Sequence, residues 1–472
     1  MKEIKTQTLS EEQLNVQREY TEKLKDILPN YFNHTPCAFV HSYGCQQNVS
    51  DSERMKGMLE KMGFVFVDNP ESADLILYNT CAVREHAEDR VYGNVGMLKA
   101  KRQAQPECII ALCGCMVQQE HIAEKIRKSF PYVNLLFGTH AIYQLPELIY
   151  NYVKNRKRVF YRPESDGIIA ENVPVRRDSN FKGWLPIMYG CNNFCTYCIV
   201  PFVRGRERSR KPEHIIEEAK QMVNAGFKDI TLLGQNVNSY GKAEGFDVDF
   251  AKLLRKINDI EGDFQIRFMT SHPKDCTLEL LDAMKDCDKV CKHLHLPFQS
   301  GSNRVLNAMN RKYTREHYLY LIEQAKKRMP DISLTSDIIV GFPGETYEEF
   351  KDTLSLIKEV KFTSLFTFIY SKRKGTPAEN MPDNISHKQK TEWMKELLDT
   401  QEKIAAERTA SYLNGTYRVL CEECHEDSTL FGRTQSNIGI TFKGDKKYVG
   451  KFINVKITKA LNWVLEGEIV GE

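Results

Sequence analysis

From residue 37 onward, short apolar runs alternate with stretches whose apolar positions recur every three or four residues. CAFVHSYG (37–44), ADLILYNT (73–80), CIIALCG (108–114) and VNLLFG (133–138) read as buried strands, with helices over 51–62, 83–101, 118–129 and 141–154. Near-continuous apolar strands, each followed by a helical period, predict a parallel sheet with both faces covered. Residues 36–155 are therefore expected to form a small α/β domain. Residues 1–35 are charged and partly helical with no evident core, and read as a leader. Residues 156–183, opened by Arg156, Lys157 and Arg158, read as a basic linker.

A second series follows over 184–411. WLPIMYG (184–190), DITLLG (229–234), IRFMTS (266–271), HLHLPF (293–298), LTSDIIVGF (334–342) and SLFTFIY (364–370) are six strands with helices between or after them. In the helix over 213–226, Ile215, Ile216, Ala219, Met222 and Val223 share one face, and Gly226 caps its end. Six βα units fit a partial TIM-type barrel better than a full eight. Pro382 breaks the pattern, and a charged helix runs over 387–413. Residues 412–472 then hold TYRVLCE, LFGRTQ, NIGITF, FINVKIT and WVLEGEIV, about five short strands that predict a small all-β barrel. The fold class is α/β: an N-terminal parallel-sheet domain, a central partial (β/α)6 barrel and a C-terminal β-barrel.

Composition narrows the classes. The 472 residues are 27% charged with a net charge of +3, so the chain is neither a disordered acidic protein nor a basic nucleic-acid coat. Its apolar runs are strand-sized, far short of the ~20 residues of a membrane span, and MKEIKTQTLSEEQ is too polar for a secretory signal. A cytoplasmic protein without a membrane partner is expected. Fourteen cysteines in such a chain point to metal or redox chemistry rather than disulfides.

Cys191, Cys195 and Cys198 form C-x3-C-x2-C just past a strand. Three thiolates so close can cup three corners of a [4Fe–4S] cube and leave one iron open. The next cysteine is Cys276, and a structural zinc site wants four closed ligands. This spacing resembles the radical S-adenosylmethionine (SAM) superfamily. The resemblance implies that SAM chelates the open iron and is cleaved to a carbon radical. It also implies SAM contacts at other strand ends: Gln235 and Asn236, Gln299 and Ser300, and Asp337. The superfamily's usual fifth-strand pattern has a Glu where Gly344 stands, and the Gly-rich GFPGE turn (341–345) is equally readable as a plain strand-to-helix connection.

Cys45, Cys81 and Cys115 each follow the C-terminal end of a predicted parallel strand. Such ends face one crevice, so three thiolates can converge there without being close in sequence; buried core thiols are the alternative. Cys113 lies within its strand, Cys37 and Cys108 begin theirs, and Cys276, Cys287 and Cys291 fall on or beside a helix, so all six read as structural. Cys421 and Cys424 make half a zinc knuckle without a second pair nearby. An α/β domain with three such cysteines, a radical-SAM barrel and a terminal β-barrel together resemble the methylthiotransferases over residues 36–472. There, Cys45, Cys81 and Cys115 would hold an auxiliary [4Fe–4S] cluster that presents sulfur, two SAM molecules would be consumed, and the last domain would be an RNA-binding TRAM barrel. The family motif GCQMN reads GCQQN here (44–48), with the ligand intact.

Arg204, Arg206, Arg208, Arg210 and Lys211 stand against one acid, Glu207, in eight residues. This run reads either as a grip on phosphates or as a solvated connection. PFVRGRERSR (201–210) and NTCAVRE (79–85) resemble the tRNA branch of the family. The resemblance implies an N6-prenylated adenosine beside the anticodon as substrate, a reductant such as a flavodoxin or ferredoxin, and an iron–sulfur carrier. Residues 415–472 hold 8 basic and 8 acidic residues, leaving Lys443, Lys446, Lys447 and Lys451 as a local RNA-binding strip. Threonylcarbamoyl-adenosine tRNA or a ribosomal-protein aspartate is the sister reading. A non-catalytic iron–sulfur or zinc protein that binds RNA or carries electrons is the reading from another class.

Overall fold

The computed structural model describes residues 7–83, 85–163 and 167–471; Arg84 of the NTCAVRE motif lies outside them. Two compact units are formed, one from residues 1–179, 188–192 and 198–210, the other from 180–187, 193–197 and 211–472.

The first unit is built on six parallel strands: β1 (Cys37–Ser42), β2 (Val65–Phe66), β3 (Leu75–Thr80), β4 (Ile109–Gly114), β5 (Leu135–Phe137) and β6 (Val159–Tyr161), in the order β2-β1-β3-β4-β5-β6. Every residue of β3 and β4 is buried. Leu75, Leu77, Ile109 and Ala111 enter one core cluster, while Ile76, Tyr78, Ile110 and Leu112 enter the other. This is the two-sided burial that a covered parallel sheet imposes at period two.

Two stretches expected to lie outside this domain belong to it. The supposed leader contains the helix Glu11–Phe32, opened by a capping box between Ser10 and Gln13. Leu24, Leu28 and Phe32 recur every fourth residue and join the first core cluster. They form one narrow stripe in an otherwise charged helix, which is why the core was not legible there. The supposed linker supplies β6, and its Ile168–Ile169 pairs in parallel with Gln7–Thr8. The expected strand over 184–190 also divides. Lys182–Pro186 is a barrel strand, whereas Met188–Tyr189 pairs antiparallel with Arg208–Ser209 inside the first unit.

In the second unit, β7 (Lys182–Pro186), β8 (Asp229–Leu233) and β9 (Gln265–Phe268) form one parallel sheet, and β10 (His293–His295), β11 (Ser333–Val340) and β12 (Ser364–Ile369) another. A parallel bridge between Ile266 and Val290 links β9 to the segment that leads into β10. Six parallel strands thus follow one another, and among the described residues no ladder joins β7 to β12. This is the expected partial (β/α)6 barrel. The helix His387–Ala410 leads to five strands, β13 (Thr416–Cys424), β14 (Thr429–Thr434), β15 (Gly439–Lys443), β16 (Phe452–Ala460) and β17 (Leu465–Ile469), closed as β13-β14-β15-β17-β16. Cys421 is fully buried in the core of this small barrel. Cys276, Cys287 and Cys291 are likewise buried.

Arg267 of β9 joins the two barrels of the second unit. Its Nε donates to Asp229 Oδ2 at 2.8 Å and its Nη2 to the carbonyl of Thr434 at 2.8 Å. Removing one member of a buried ion pair leaves the other charge uncompensated, at a cost of about 3–5 kcal/mol. Arg267→Met is therefore expected to destabilise the second unit by about that amount in a denaturant titration, and Asp229→Asn added to it should recover part of the loss.

Glu345, in the turn after β11, is 4% exposed and accepts from the peptide N–H groups of Gly341 (2.7 Å) and Phe342 (3.2 Å). Burial pushes its carboxyl up to about 7, against the pull of those two donors. The folded state thus holds this proton more tightly than the unfolded chain does. The stabilisation is complete in the ordinary carboxylate range and is lost as pH rises to about 7. Glu345→Gln should flatten the fall in stability between about pH 4.5 and 7, as read from melting temperatures across that interval.

Candidate active site

Three cysteines of the first unit stand on neighbouring strand-end loops, and their backbones interlock. Cys45 follows β1 and is the N-cap of the helix Gln46–Lys61; its Sγ lies 3.3 Å from Asn48 Oδ1. Cys81 follows β3, and its Sγ accepts from the N–H of Val83 at 3.4 Å. Cys115 follows β4, and its N–H donates to the carbonyl of Thr80 at 2.9 Å. A Cβ on Gly44 would come 2.8 Å from Cys81 Cβ, so only glycine lets the first loop approach the second. Gly114 has φ +100°, and a Cβ there would meet Thr80 O at 2.4 Å.

Two buried amides tie these loops together. Asn48 Nδ2 donates to Asn79 Oδ1 (3.0 Å) and to Thr80 O (3.1 Å), and Asn79 Nδ2 donates back to Asn48 O (2.8 Å). Sequence reading passed over both. Their signal is an amide near the end of an otherwise apolar strand, Asn79, and another in the first turn of the helix after Cys45, Asn48, where an unpaired buried polar group is costly. Burial pushes the Cys115 thiol up to about 12; Arg204 opposes the shift, while Cys81 and Cys45 add to it. Cys113 points instead into the core, 3.6 Å from Met55 Sδ, as expected for a thiol inside a strand.

The C-x3-C-x2-C loop is shared between the units. In the first, Cys191 is buried and its N–H donates to Gly205 O at 3.1 Å, and Cys198 is partly buried. In the second, Cys195 Sγ accepts from Arg311 Nη1 at 3.3 Å. Arg311 is held in turn by Pro297 O (2.8 Å) and Tyr313 Oη (3.1 Å).

The expected SAM contacts all lie in the second unit. Gln235 and Asn236 follow β8, and Asn236 Nδ2 donates to Asp275 Oδ2 at 2.8 Å. Gln299 has φ +66°, donates its N–H to Asp337 O (3.0 Å), and keeps Oε1 buried without a hydrogen-bond partner among the described residues. Ser300 is buried beside it and accepts from Ser302 N–H at 3.3 Å. Asp337 pairs in register with Phe366, and its Oδ1 lies 3.5 Å from His295 Nε2. His293 and His295 share the hydroxyl of Thr335 at 2.8 and 2.9 Å. Phe366 and Phe368 stand on the same face of β12, 46% and 43% exposed, with Phe366 edge-on to His295. Sequence reading placed both in a strand without singling them out; the alternation in SLFTFIY carries their signal.

The basic run corrects an expectation. Arg204, Arg208 and Arg210 are 6%, 4% and 3% exposed, and their guanidinium groups serve the first unit internally. Arg210 grips Glu171 with two bonds (2.8 and 2.6 Å). Arg208 Nη1 donates to the carbonyls of Arg204 and Arg206. Arg204 Nε donates to Cys115 Sγ at 3.1 Å, and its Nη2 pairs with Asp51 at 2.9 Å. Of the four, Arg206 alone is exposed. Either reading of the run, as a grip on phosphates or as a solvated connection, assumed exposure, because charge in a sequence does not show burial. On the small barrel, Lys443 is tied to Asp427 and Thr429, whereas Lys446 and Lys447 are exposed on a single helical turn.

Both cysteine sets have the donor chemistry of iron–sulfur clusters. Each consists of three sulfurs, and in each one sulfur is met by a buried guanidinium that suits thiolate. Among the described residues no three His, Cys, Asp or Glu side chains close on one point as they would around a single ion. Three sulfur ligands in each set fall short of the four closed ligands of a structural zinc site and suit three corners of a cube. No helix among the described residues is long and apolar enough to cross a membrane.

Comparison with known proteins agrees with this layout. Residues 185–357 match the Radical SAM superfamily, residues 37–138 match uncharacterized protein family UPF0004, and residues 410–470 match the TRAM domain. The solved structure of the radical S-adenosylmethionine methyltransferase TsrM from Kitasatospora setae has the same fold, with a TM-score of 0.55 at 14% identity over 73% of this chain and 77% of that one. The tRNA-2-methylthio-N(6)-dimethylallyladenosine synthase of Acetivibrio thermocellus is 48% identical over 98% of this chain and 97% of its own. The protein of that name from Thermoanaerobacter sp. (strain X514) is 52% identical over 91% of this chain and 92% of its own. At such identity over nearly its whole length, the chain belongs to the radical-SAM family of the tRNA-2-methylthio-N(6)-dimethylallyladenosine synthases.

Proposed function

We propose that this chain is a tRNA methylthiotransferase that places a methylthio group at C2 of the N6-dimethylallylated adenosine beside the anticodon. The observation that carries the reading is that two separate three-cysteine sets each offer one sulfur to a buried guanidinium, in a chain 52% identical to a named synthase over 91% of its length. Cys191, Cys195 and Cys198 would hold one [4Fe–4S] cluster and Cys45, Cys81 and Cys115 another. When bound, these clusters with two SAM molecules supply hydrogen abstraction from an unreactive C–H bond and the sulfur that replaces it, chemistry no side chain provides.

The residues of the chain position and shelter. Arg311, braced by Pro297 and Tyr313, fixes the Cys195 sulfur. Asn236 and Lys242 converge on the buried Asp275, with Lys242 Nζ at 2.9 Å, and hold the loop after β8. Gln299, Ser300 and Asp337 offer polar atoms for SAM at the ends of neighbouring strands. Phe366 and Phe368 offer aromatic faces for an unstacked base and its prenyl group, the usual manner of reading single-stranded RNA. Arg206, Lys446 and Lys447 are the exposed cations from which phosphate contacts are drawn. A flavodoxin- or ferredoxin-like reductant and an iron–sulfur carrier complete the proposed set of partners, in the cytoplasm.

Nucleoside mass spectrometry on prenylated tRNA, incubated anaerobically with the iron-loaded protein, SAM and reductant, tests the reading. A methylthio gain on the prenylated adenosine is expected. Replacing Cys191, Cys195 and Cys198 by Ala should abolish both that gain and SAM cleavage while the iron of the other set remains. SAM cleavage at the parent rate in this variant would overturn the assignment.

Lys446→Glu with Lys447→Glu should weaken tRNA binding several-fold at low salt and flatten its dependence on salt concentration, because each phosphate contact releases counterions. SAM cleavage without tRNA should be unchanged. Equal salt slopes for the variant and the parent chain would remove these lysines from the RNA surface.

A further inference from the structure

Arg204 stands where sequence suggested an RNA contact, yet it is buried and aimed inward. Its Nε lies 3.1 Å from Cys115 Sγ, and its Nη2 lies 2.9 Å from Asp51 Oδ2. Asp51 sits one turn into the helix Gln46–Lys61, which begins directly after Cys45. One guanidinium therefore connects the loop of Cys115 to the helix that carries Cys45. The segment bearing Arg204 is itself fixed. Ile199 and Val203 pack with Cys115 and with Ala82, the neighbour of Cys81. The carbonyl of Val203 accepts from Thr139 Oγ1 at 2.7 Å, and that of Arg204 accepts from Arg208 Nη1 at 3.2 Å.

A guanidinium stays charged in proteins, and a buried charge needs a partner of opposite sign. Asp51 supplies one, and a thiolate at Cys115 would supply a second. We infer that Arg204 is a positioning residue for the group held by Cys45, Cys81 and Cys115, donating to the Cys115 sulfur and, balanced by Asp51, setting that group's reduction potential. The inference rests on the proposed auxiliary cluster and goes beyond it, because it assigns to a residue outside both cysteine motifs the control of how easily the cluster is reduced. Hydrogen bonds to the sulfurs and net charge are the terms by which a protein tunes such a potential. Losing the cation and its donor makes the cluster harder to reduce, whereas losing the opposing carboxylate makes it easier. A mere structural brace would give no such opposite pair.

The test uses the full chain with Cys191, Cys195 and Cys198 replaced by Ala, so that only the auxiliary site binds iron. In this background the iron content and the midpoint potential of Arg204→Gln, Arg204→Lys and Asp51→Asn are measured by potentiometric titration with an electron paramagnetic resonance readout. The expected result is a lower potential for Arg204→Gln, a potential nearer the parent for Arg204→Lys, which keeps the charge, and a higher one for Asp51→Asn. Potentials equal to the parent in Arg204→Gln and Asp51→Asn, with iron retained, would overturn the inference. Should Arg204→Gln fail to hold iron, the directions in Arg204→Lys and Asp51→Asn decide it: unshifted values count against it, and a rise in Asp51→Asn counts for it. A background that binds no iron overturns the auxiliary cluster itself, an outcome distinct from unshifted potentials.

Discussion

Parallel pairing in register is the constraint on which the first unit depends. Leu75 pairs with Ile109 and Thr80 with Gly114 along one continuous ladder, and Ala38 to Ser42 pair with Leu75 to Asn79. Strands aligned in this way end together at one edge, so the residues that follow them meet in space. A slip of one residue would turn every side chain of a strand to the opposite face. It would also pull its cysteine out of line with the other two. The backbone bond from Cys115 to Thr80 and the amide pair Asn48–Asn79 lock that alignment at the edge itself.

Buried guanidinium groups form the second layer of organisation. Arg204 and Arg210 in the first unit and Arg267 and Arg311 in the second are each met by sulfur, carboxylate or carbonyl groups. Such groups are poor sources of net stability, because desolvation offsets much of the attraction. Their value lies in direction: a planar fork with fixed donors holds its acceptors at defined angles. Two of the four acceptor sets include a cysteine of the proposed clusters. That is a use which an apolar residue of similar volume would not serve.

The small terminal barrel follows a different economy. Closure of its five strands leaves no free edge, and Val419, Ile440, Val455 and Leu465 fill the interior. With as many acids as bases, its proposed RNA-facing role rests on where the lysines stand rather than on net charge. Lys443 is neutralised by Asp427, while Lys446 and Lys447 share an exposed turn.

Much of this architecture was legible in the amino-acid order. Strand-sized apolar runs alternating with helical periods determined the parallel sheet, the six barrel strands and the five-stranded terminal barrel, because these patterns are local and repeat. The spacing of Cys191, Cys195 and Cys198, and the placing of Cys45, Cys81 and Cys115 after strands, likewise marked the cysteines as a chemical set. Tertiary structure alone decided which charges are internal. Arg204 and Arg206 are two residues apart and alike in sequence, yet one is buried against Cys115 and Asp51 and the other is exposed. It also drew the helix Glu11–Phe32 and the strand Val159–Tyr161 into the first unit, and the segment 198–210 with them. The reason is physical: apolar periodicity is written along the chain, whereas the burial of a charge depends on partners brought to it from distant positions.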